Sequence, residues 1–499
     1  MLSQAIHPPE IELVTIPAGE FIMGRLETFP QVGELEEPAH PVTLAEYQIG
    51  RYPITNAQYL PFIQDTGHPA PDTWINGVFP ENKADHPVSG VVWSDAWLYC
   101  AWLRWKTGKP YHLPTEAEWE KAATWNPVTG RKQLYPWGDV AHQHLCNTLG
   151  AGGLKDTTPV GAYSPQGDSP YGCADMVGNV EEWCNTLLRD YPYRADDGCE
   201  ELNISGRRAQ RGGDWNYIGI PIAIRRNLPS DWWIYLWGFR VVLSSSLNEA
   251  HESYIRKIQA YIARVEQEQQ IEIEKNPTIA QHWYNRGTQR LNATVMGVDL
   301  SEVGKNLFAE AEQDFTQALQ LVEQYYQTFS QKVQKPLNSP LGWVYYNRAI
   351  VRFEQGNHEA ALTDINQAIQ LDRKDPDAFG QRAQIACRLK RWSQAEQDLA
   401  TFTRLGKKDS TVIYFIQAEI AFGLGEYQRA IQLLSKIIQM SKIVKHNTFT
   451  PIVEPKVYLL RGQAYEQLGQ THQALSDYCH YLLWRPDAAE APSLLAHMG

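Results

Sequence analysis

RGGDWNYIGIPIAIRRNLPSDWWIYLWGFRVV, residues 211–242, begins and ends like part of a packed fold and is irregular in between. The ends combine Gly, Arg and branched residues. The middle sets Trp, Tyr and Ile among Pro, Gly and Arg with neither the period of a strand nor that of a helix. Large apolar side chains without a period either fill a core or lie on a surface that meets a partner. No cysteine occurs between Asp214 and Trp237.

Around this stretch, 499 residues exceed what one ordinary core supports, so two or more domains are expected. A hydrophobic content of 43% with 20% charged residues predicts a folded chain. The net charge of -12 argues against a general nucleic-acid or anionic-membrane binder, which needs a basic surface. The opening MLSQAIHPPEIELV has no basic n-region or apolar h-region, and no eighteen apolar residues run together. Seven cysteines, an odd number without CxxC spacing, read as reduced thiols of a cytoplasmic protein.

Two textures divide the chain. Up to residue 246 short segments such as IELVTIPAGEFIMG are broken by turn dipeptides, and a loop-rich α+β domain is predicted. Residues 247–275 read as a connecting helix, and 276–499 as all-α. In that last part Ala311, Ala361, Ala395, Ala430 and Ala474 head similar phrases, with steps of 50, 34, 35 and 44 residues. Arg286-Gly287, Arg348-Ala349, Arg382-Ala383, Gln417-Ala418 and Arg461-Gly462 keep register with them. Small residues at such positions let paired helices approach closely. The pattern resembles the tetratricopeptide repeat in about five copies, which implies a solenoid that docks a peptide or a partner protein.

Six phrases occur in order in the first half: IPAGEFIMG (16–24), PAHPVTLAEYQIGRYPITNAQY (38–59), HLPTEAEWEKAA (112–123), YGCADMVGNVEEW (171–183), RGGDW (211–215) and GFRVV (238–242). Together they resemble the formylglycine-generating enzyme family, also called the sulfatase-modifying-factor domain. The resemblance implies a variant of the C-type lectin fold. From the residues alone, Thr115 and Glu118 form a capping box with Trp119 facing inward. Ser94 is read as the cap of a helix bearing Trp97, Ala101 and Trp105 on one face. His112 stands where the family usually has Arg.

The resemblance also implies metals. It assigns Asp175, Gly178, Val180 and Glu182 to a structural calcium ion, two as carboxylates and two through backbone carbonyls, in keeping with the oxygen preference of calcium. A second family calcium site would use Asn147 and Thr148 with Gly152 and Leu154, but the acidic ligand of the family falls on Gly152. Active members oxidise a substrate cysteine through two copper(I)-binding thiolates placed between the RGG and GFR anchors. This chain has none there, so no copper is expected. His142, His144 and Cys146 supply only three donors for zinc and read as a loop.

Trp215, Asn216, Tyr217, Ile218, Ile220, Ile222, Ile224, Arg226, Trp232, Trp233, Ile234 and Tyr235 are therefore the candidate ligand-binding residues, with Trp237 and Ile224 also open to a core reading. Variable proteins of diversity-generating retroelements resemble this arrangement too, with diversified codons between the same anchors. The reading is a non-catalytic recognition protein: a lectin-like face at 214–237 meets a protein ligand and the repeats hold a separate partner, with no nucleic acid or membrane involved. The alternative is a protein-modifying oxidase of the formylglycine-generating type or a related metal-dependent enzyme.

Overall fold

The computed structural model describes residues 6–25, 36–149, 155–201, 206–216, 234–295, 306–328, 341–406, 411–442, 455–484 and 494. They form two compact units, one of Met1–Glu252 with Ser441–Gly499 and the other of Ser253–Met440. The sequence reading assigns 276–499 to a single repeat domain. In the structure the last helical hairpin groups with the N-terminal residues instead.

In the first unit β1 (Leu13–Ile16), β4 (Tyr47–Gly50), β11 (Val242–Leu243) and β5 (Tyr111–His112) make an antiparallel sheet in that order. A second sheet runs β10 (Trp237–Gly238), β8 (Glu181–Leu187), β9 (Arg208–Arg211), with β10 parallel to β8 and β9 antiparallel to it. Two small pairs complete the strands, β2 (Gly19–Met23) with β3 (His40–Leu44) and β6 (Trp125–Asn126) with β7 (Arg131–Lys132). The candidate stretch thus leaves from the end of β9 and returns in β10, and both strands flank β8.

Three helices support these sheets. α1 (Asn56–Thr66) starts on a Thr55–Gln58 capping box, and α3 (Glu116–Thr124) on the expected Thr115–Glu118 box with Trp119 fully buried. α2 (Trp93–Thr107) corrects the reading at Ser94: Val92 is the N-cap, and the Asp95 carboxylate accepts from its backbone N–H at 3.1 Å. Trp97 and Ala101 are buried as expected, but Trp105 lies 45% exposed beneath the Lys106 ammonium. Tyr59, Phe62, Tyr99, Trp102, Trp183, Trp237 and Phe239 build one core; Ile16, Ile49, Trp119, Met176 and Val242 build a second.

The remaining helices are α4 (Ser246–Lys275), α5 (Ala280–Val295), α6 (Leu307–Thr328), α7 (Leu341–Glu354), α8 (His358–Leu371), α9 (Pro376–Arg388), α10 (Trp392–Leu405), α11 (Thr411–Gly423), α12 (Tyr427–Lys442), α13 (Pro455–Gln467) and α14 (Thr471–Trp484). From α5 onward they follow the five predicted copies. Ala311, Ala361, Ala395 and Ala430 are fully buried. Each repeated Arg grips an Asp three residues beyond that Ala: Arg286 with Asp314, Arg348 with Asp364, Arg382 with Asp398 and Arg461 with Asp477, all bidentate at 2.6–3.0 Å. Arg348 also reaches Thr316, and Arg382 reaches Asn366, tying each copy to the helix before it. In the copy at 411–442 Gln417 and Leu433 replace both partners, and Ala400 takes the place of the third. A cleft of about 500 Å³ lined by Leu399, Arg404, Gln417 and Ile420 opens there.

Candidate functional site

Two buried arginines fix the ends of the 212–239 segment. Arg211, at the end of β9, donates to Glu116 at 3.0 Å and to Glu120 at 2.6 Å from a position with no solvent exposure. Glu120 also pairs with Lys132 and accepts from the Gly24 N–H. Burial alone would raise its carboxyl, but Lys132 and Arg211 hold it down at about 2. The i, i+4 acids Glu116 and Glu120 stand in the LPTEAEWEKAA phrase, and sequence reasoning did not connect them with RGG. Arg240, beyond β10, donates to both oxygens of Glu182 at 2.6 and 2.7 Å, and to the carbonyls of Gly50 and Ala174. Trp119 Nε1 donates to the same Glu182 carboxylate at 2.9 Å.

The turn from Asp175 to Glu182 braces the segment at its start. Asp175, Gly178 and Asn179 all have left-handed φ, at 55°, 78° and 67°. A Cβ on Gly178 would lie 2.3 Å from the Asn147 carbonyl, so only glycine fits there. Gly178 N–H donates to the Gly212 carbonyl at 2.9 Å, and Trp215 N–H donates to the Asn179 carbonyl at 3.2 Å. Gly178, an expected calcium ligand, and its neighbour Asn179 thus touch the backbone where the segment begins. Asp175 is half-buried and accepts from Gly161 N–H at 2.6 Å; desolvation pushes its carboxyl up to about 6. Arg240 pairs directly with Glu182, and only its longer-range field reaches Asp175; the two carboxylates on this turn are oxygen donors of the kind calcium prefers. For the second set, Asn147 and Thr148 are buried, and the Asn147 Oδ1 has no hydrogen-bond partner. Gly152 and Leu154 lie outside the described residues.

Of the candidate ligand residues, Tyr217, Ile218, Ile220, Ile222, Ile224, Arg226, Trp232 and Trp233 lie outside the described residues. Trp215 is half-buried and packs against the aromatic core, so part of its surface serves the fold. Asn216 is half-buried, its N–H donating to Asp214 Oδ1 at 2.8 Å. Ile234 begins a short 3₁₀ turn with Tyr235 and Leu236. Tyr235 is 37% exposed, and its ring centroid lies 6.3 Å from that of Trp215. The two mouths of the segment therefore meet ring to ring. Trp237 is core, edge-on to Trp183 at 5.1 Å, in line with its core reading.

All seven cysteines are buried with free thiols. Burial pushes Cys100, Cys387 and Cys479 up to about 12 and Cys146 and Cys173 up to about 11, and Cys184 and Cys199 rise as well. A thiol held protonated in this way is a poor nucleophile and a poor ligand for a soft metal. Among the described residues no group of three His, Cys, Asp or Glu has the arrangement of a metal site. His142 and His144 are exposed while Cys146 is buried. His112 uses the place of the usual Arg differently, its Nδ1 donating to the Leu113 carbonyl and its Nε2 lying 2.9 Å from Ser244 Oγ. No helix among the described residues is long and apolar enough to cross a membrane.

Comparison with known proteins gives this geometry a family. Residues 2–245 match the sulfatase-modifying factor enzyme 1-like domain, and residues 344–375 and 455–487 match the tetratricopeptide repeat. Hercynine oxygenase of Mycolicibacterium smegmatis is 34% identical over 237 residues, which cover 40% of this chain and 54% of that protein. The chain spans about half the length of the first curated relatives it matches. The formylglycine-generating enzyme of Thermomonospora curvata is 33% identical over 233 residues, covering 36% of this chain and 72% of the enzyme. A solved structure, Treponema denticola variable protein 1, aligns at 20% identity and a TM-score of 0.35 over 46% of this chain and 94% of its own. With its ordered anchors, its buried arginine clamps and a relative matched over most of its length, the chain belongs to the formylglycine-generating, sulfatase-modifying factor family, and carries tetratricopeptide repeats in its C-terminal region.

Proposed function

We propose that the N-terminal domain is a recognition module and that the repeats engage a second protein. The observation that carries this reading is the pair of arginine clamps around an aromatic interval without a cysteine. Arg211 and Arg240 hold both ends rigidly, which lowers the ordering cost of binding, while Trp and Tyr between them supply large desolvating contacts. Calcium, bound through Asp175 and Glu182 carboxylates and the Gly178 and Val180 carbonyls, would stiffen the turn that braces Gly212 and Trp215. It would supply charge neutralisation and no chemistry. Arg226 adds orientation at the rim. Diversification by a retroelement is part of the proposal: the large residues at Tyr217, Ile218, Ile224, Ile234 and Tyr235 are those that altering the adenines of Asn codons yields.

The test is capture of the partner from the native cell by the full chain. Replacing Trp232, Trp233 and Tyr235 with Ser should abolish capture of at least one partner while the fold persists by circular dichroism. Capture unchanged by these replacements would leave the repeats as the binding element and end the recognition reading. A reverse transcriptase gene with a near-copy of the codons for 214–237 beside this gene would establish diversification.

A second reading, a protein-modifying oxidase, is favoured by the enzymes among the curated relatives. Tight binding of one cuprous ion together with conversion of a cysteine peptide to an aldehyde would decide for it. The buried, protonated thiols and the cysteine-free interval weigh against it.

A further inference from the structure

The helical hairpin α13–α14 packs on the N-terminal domain through a chain of hydrogen bonds that two neutral imidazoles and a carboxylate cannot complete. His480, on α14, is 3% exposed, and its Nδ1 donates to the Ser476 carbonyl at 2.7 Å. Its Nε2 lies 2.8 Å from Nδ1 of His68, which follows α1 and is 5% exposed. His68 Nε2 lies 3.1 Å from Asp95 Oδ1 on α2. The rings stack, His68 on His480 at 5.1 Å and Tyr458 of α13 on His480 at 5.0 Å. Three hydrogen bonds in series need three protons. Two neutral imidazoles and a carboxylate carry two. One extra proton is therefore needed; imidazole is a stronger base than a carboxylate, so it belongs to the histidine pair, and Asp95 balances its charge.

The other charged groups at this contact are already paired: Lys106 with Asp65 at 2.7 Å, and Arg461 with Asp477 at 2.6 Å. Trp102 Nε1 also donates to Asp65. His472, at the start of α14, is exposed, and the buried Cys479 thiol is held up by burial and by Asp65.

We propose that docking of the α13–α14 hairpin binds a single proton between His68, His480 and Asp95, making the contact a latch that is tightest near the titration point of a free imidazole. The sign follows on both sides. Above about pH 6.5 the released imidazoles are neutral, so docking takes up one proton and weakens as pH rises toward the pKa of the docked pair. Below that value the released imidazoles are both charged, but burial and the neighbouring His68 hold His480 near 3, so docking must expel a proton and weakens again. While docked, the α14 face bearing Cys479, His480 and Leu483 is closed to any partner.

Hydrogen exchange of α14 amides in the full chain, corrected for intrinsic rates and referred to α8, tests this between pH 5 and 8.5. The expected profile is a maximum of protection near pH 6.5, with opening increasing by up to about tenfold per pH unit on each side. Asp95→Asn keeps the Val92 cap and donates to a neutral His68, so it should flatten the alkaline side and steepen the acid side, where docking must then expel two protons instead of one. A flat profile in the native chain, or an alkaline side unchanged by Asp95→Asn, would overturn the proposal. Independently of any variant, the histidine ¹⁵N spectrum at pH 7.5 should show one imidazole protonated on both nitrogens and shielded from solvent exchange. Its absence would also overturn the latch.

Discussion

Arginine is used in two ways in this molecule, and the contrast shows how each part is specified. Arg211 and Arg240 are fully buried, each serves one place, and their partners lie 91, 95 and 58 residues away. Arg348 and Arg382 are mostly buried, recur with the repeat, and find their Asp 16 residues on. The first kind closes a fold from distant phrases, so the loss of one clamp undoes the whole. The second kind sets local register, so each loss stays within its copy.

The largest effect should come from Arg240→Ala. With calcium removed by chelator, it leaves the Glu182 carboxylate buried beside Trp119 without a counter-ion, at a cost of about 3–5 kcal/mol by denaturant unfolding of the N-terminal transition. Arg240→Lys should recover little, because the bidentate fork is lost. A loss near that of a surface pair would break the distinction drawn above.

Calcium should act on the same unit. At about 100 times its dissociation constant it would add roughly 2.7 kcal/mol of apparent stability, removed by chelator and by Asp175→Asn, as read by thermal unfolding with and without the ion. Unfolding indifferent to calcium would place the turn among simple capped turns.

Arg348→Ala should cost about 1–3 kcal/mol and raise hydrogen exchange in α7 and α8 while the N-terminal transition stays in place. A loss spread evenly through the chain would erase the local character of the second kind of arginine.

The smallest effect should be a gain. Gln417→Arg combined with Leu433→Asp restores the pair the fourth copy lacks, adding about 0.5–1 kcal/mol at these half-buried positions. Leu433→Asp alone should destabilise, because the carboxylate then has no partner. A double-mutant cycle on α11 and α12 exchange measures the coupling.

Much of this was legible. The repeat period and the anchors RGG and GFR are sequence phrases, and the Thr115–Glu118 box depends on residues three apart. Local physics determines such features, and local order displays them. The start of α2 misled because Ser94 has the right chemistry, whereas the structure caps the helix by folding Asp95 back onto Val92. The repeated Arg was seen without its Asp, although Asp364, Asp398 and Asp477 all stand three residues past the registered Ala. The partners of Arg211 and Arg240 could not be read, because contacts 58 to 95 residues apart leave no spacing to recognise. The His68–His480 contact spans 412 residues and leaves even less.

Gly67 ends α1 with φ at 66°, and a Cβ there would stand 2.6 Å from Ser476 Oγ on α14. Leu483 of the same helix belongs to the core built by Tyr59, Trp102 and Phe239. In the order of synthesis, the domain made first is therefore finished by the last helix described. Until α14 leaves the ribosome, the aromatic core around α1 and α2 stays open on one side, and a chain cut short after the repeats begin would expose apolar surface in its earliest-made domain.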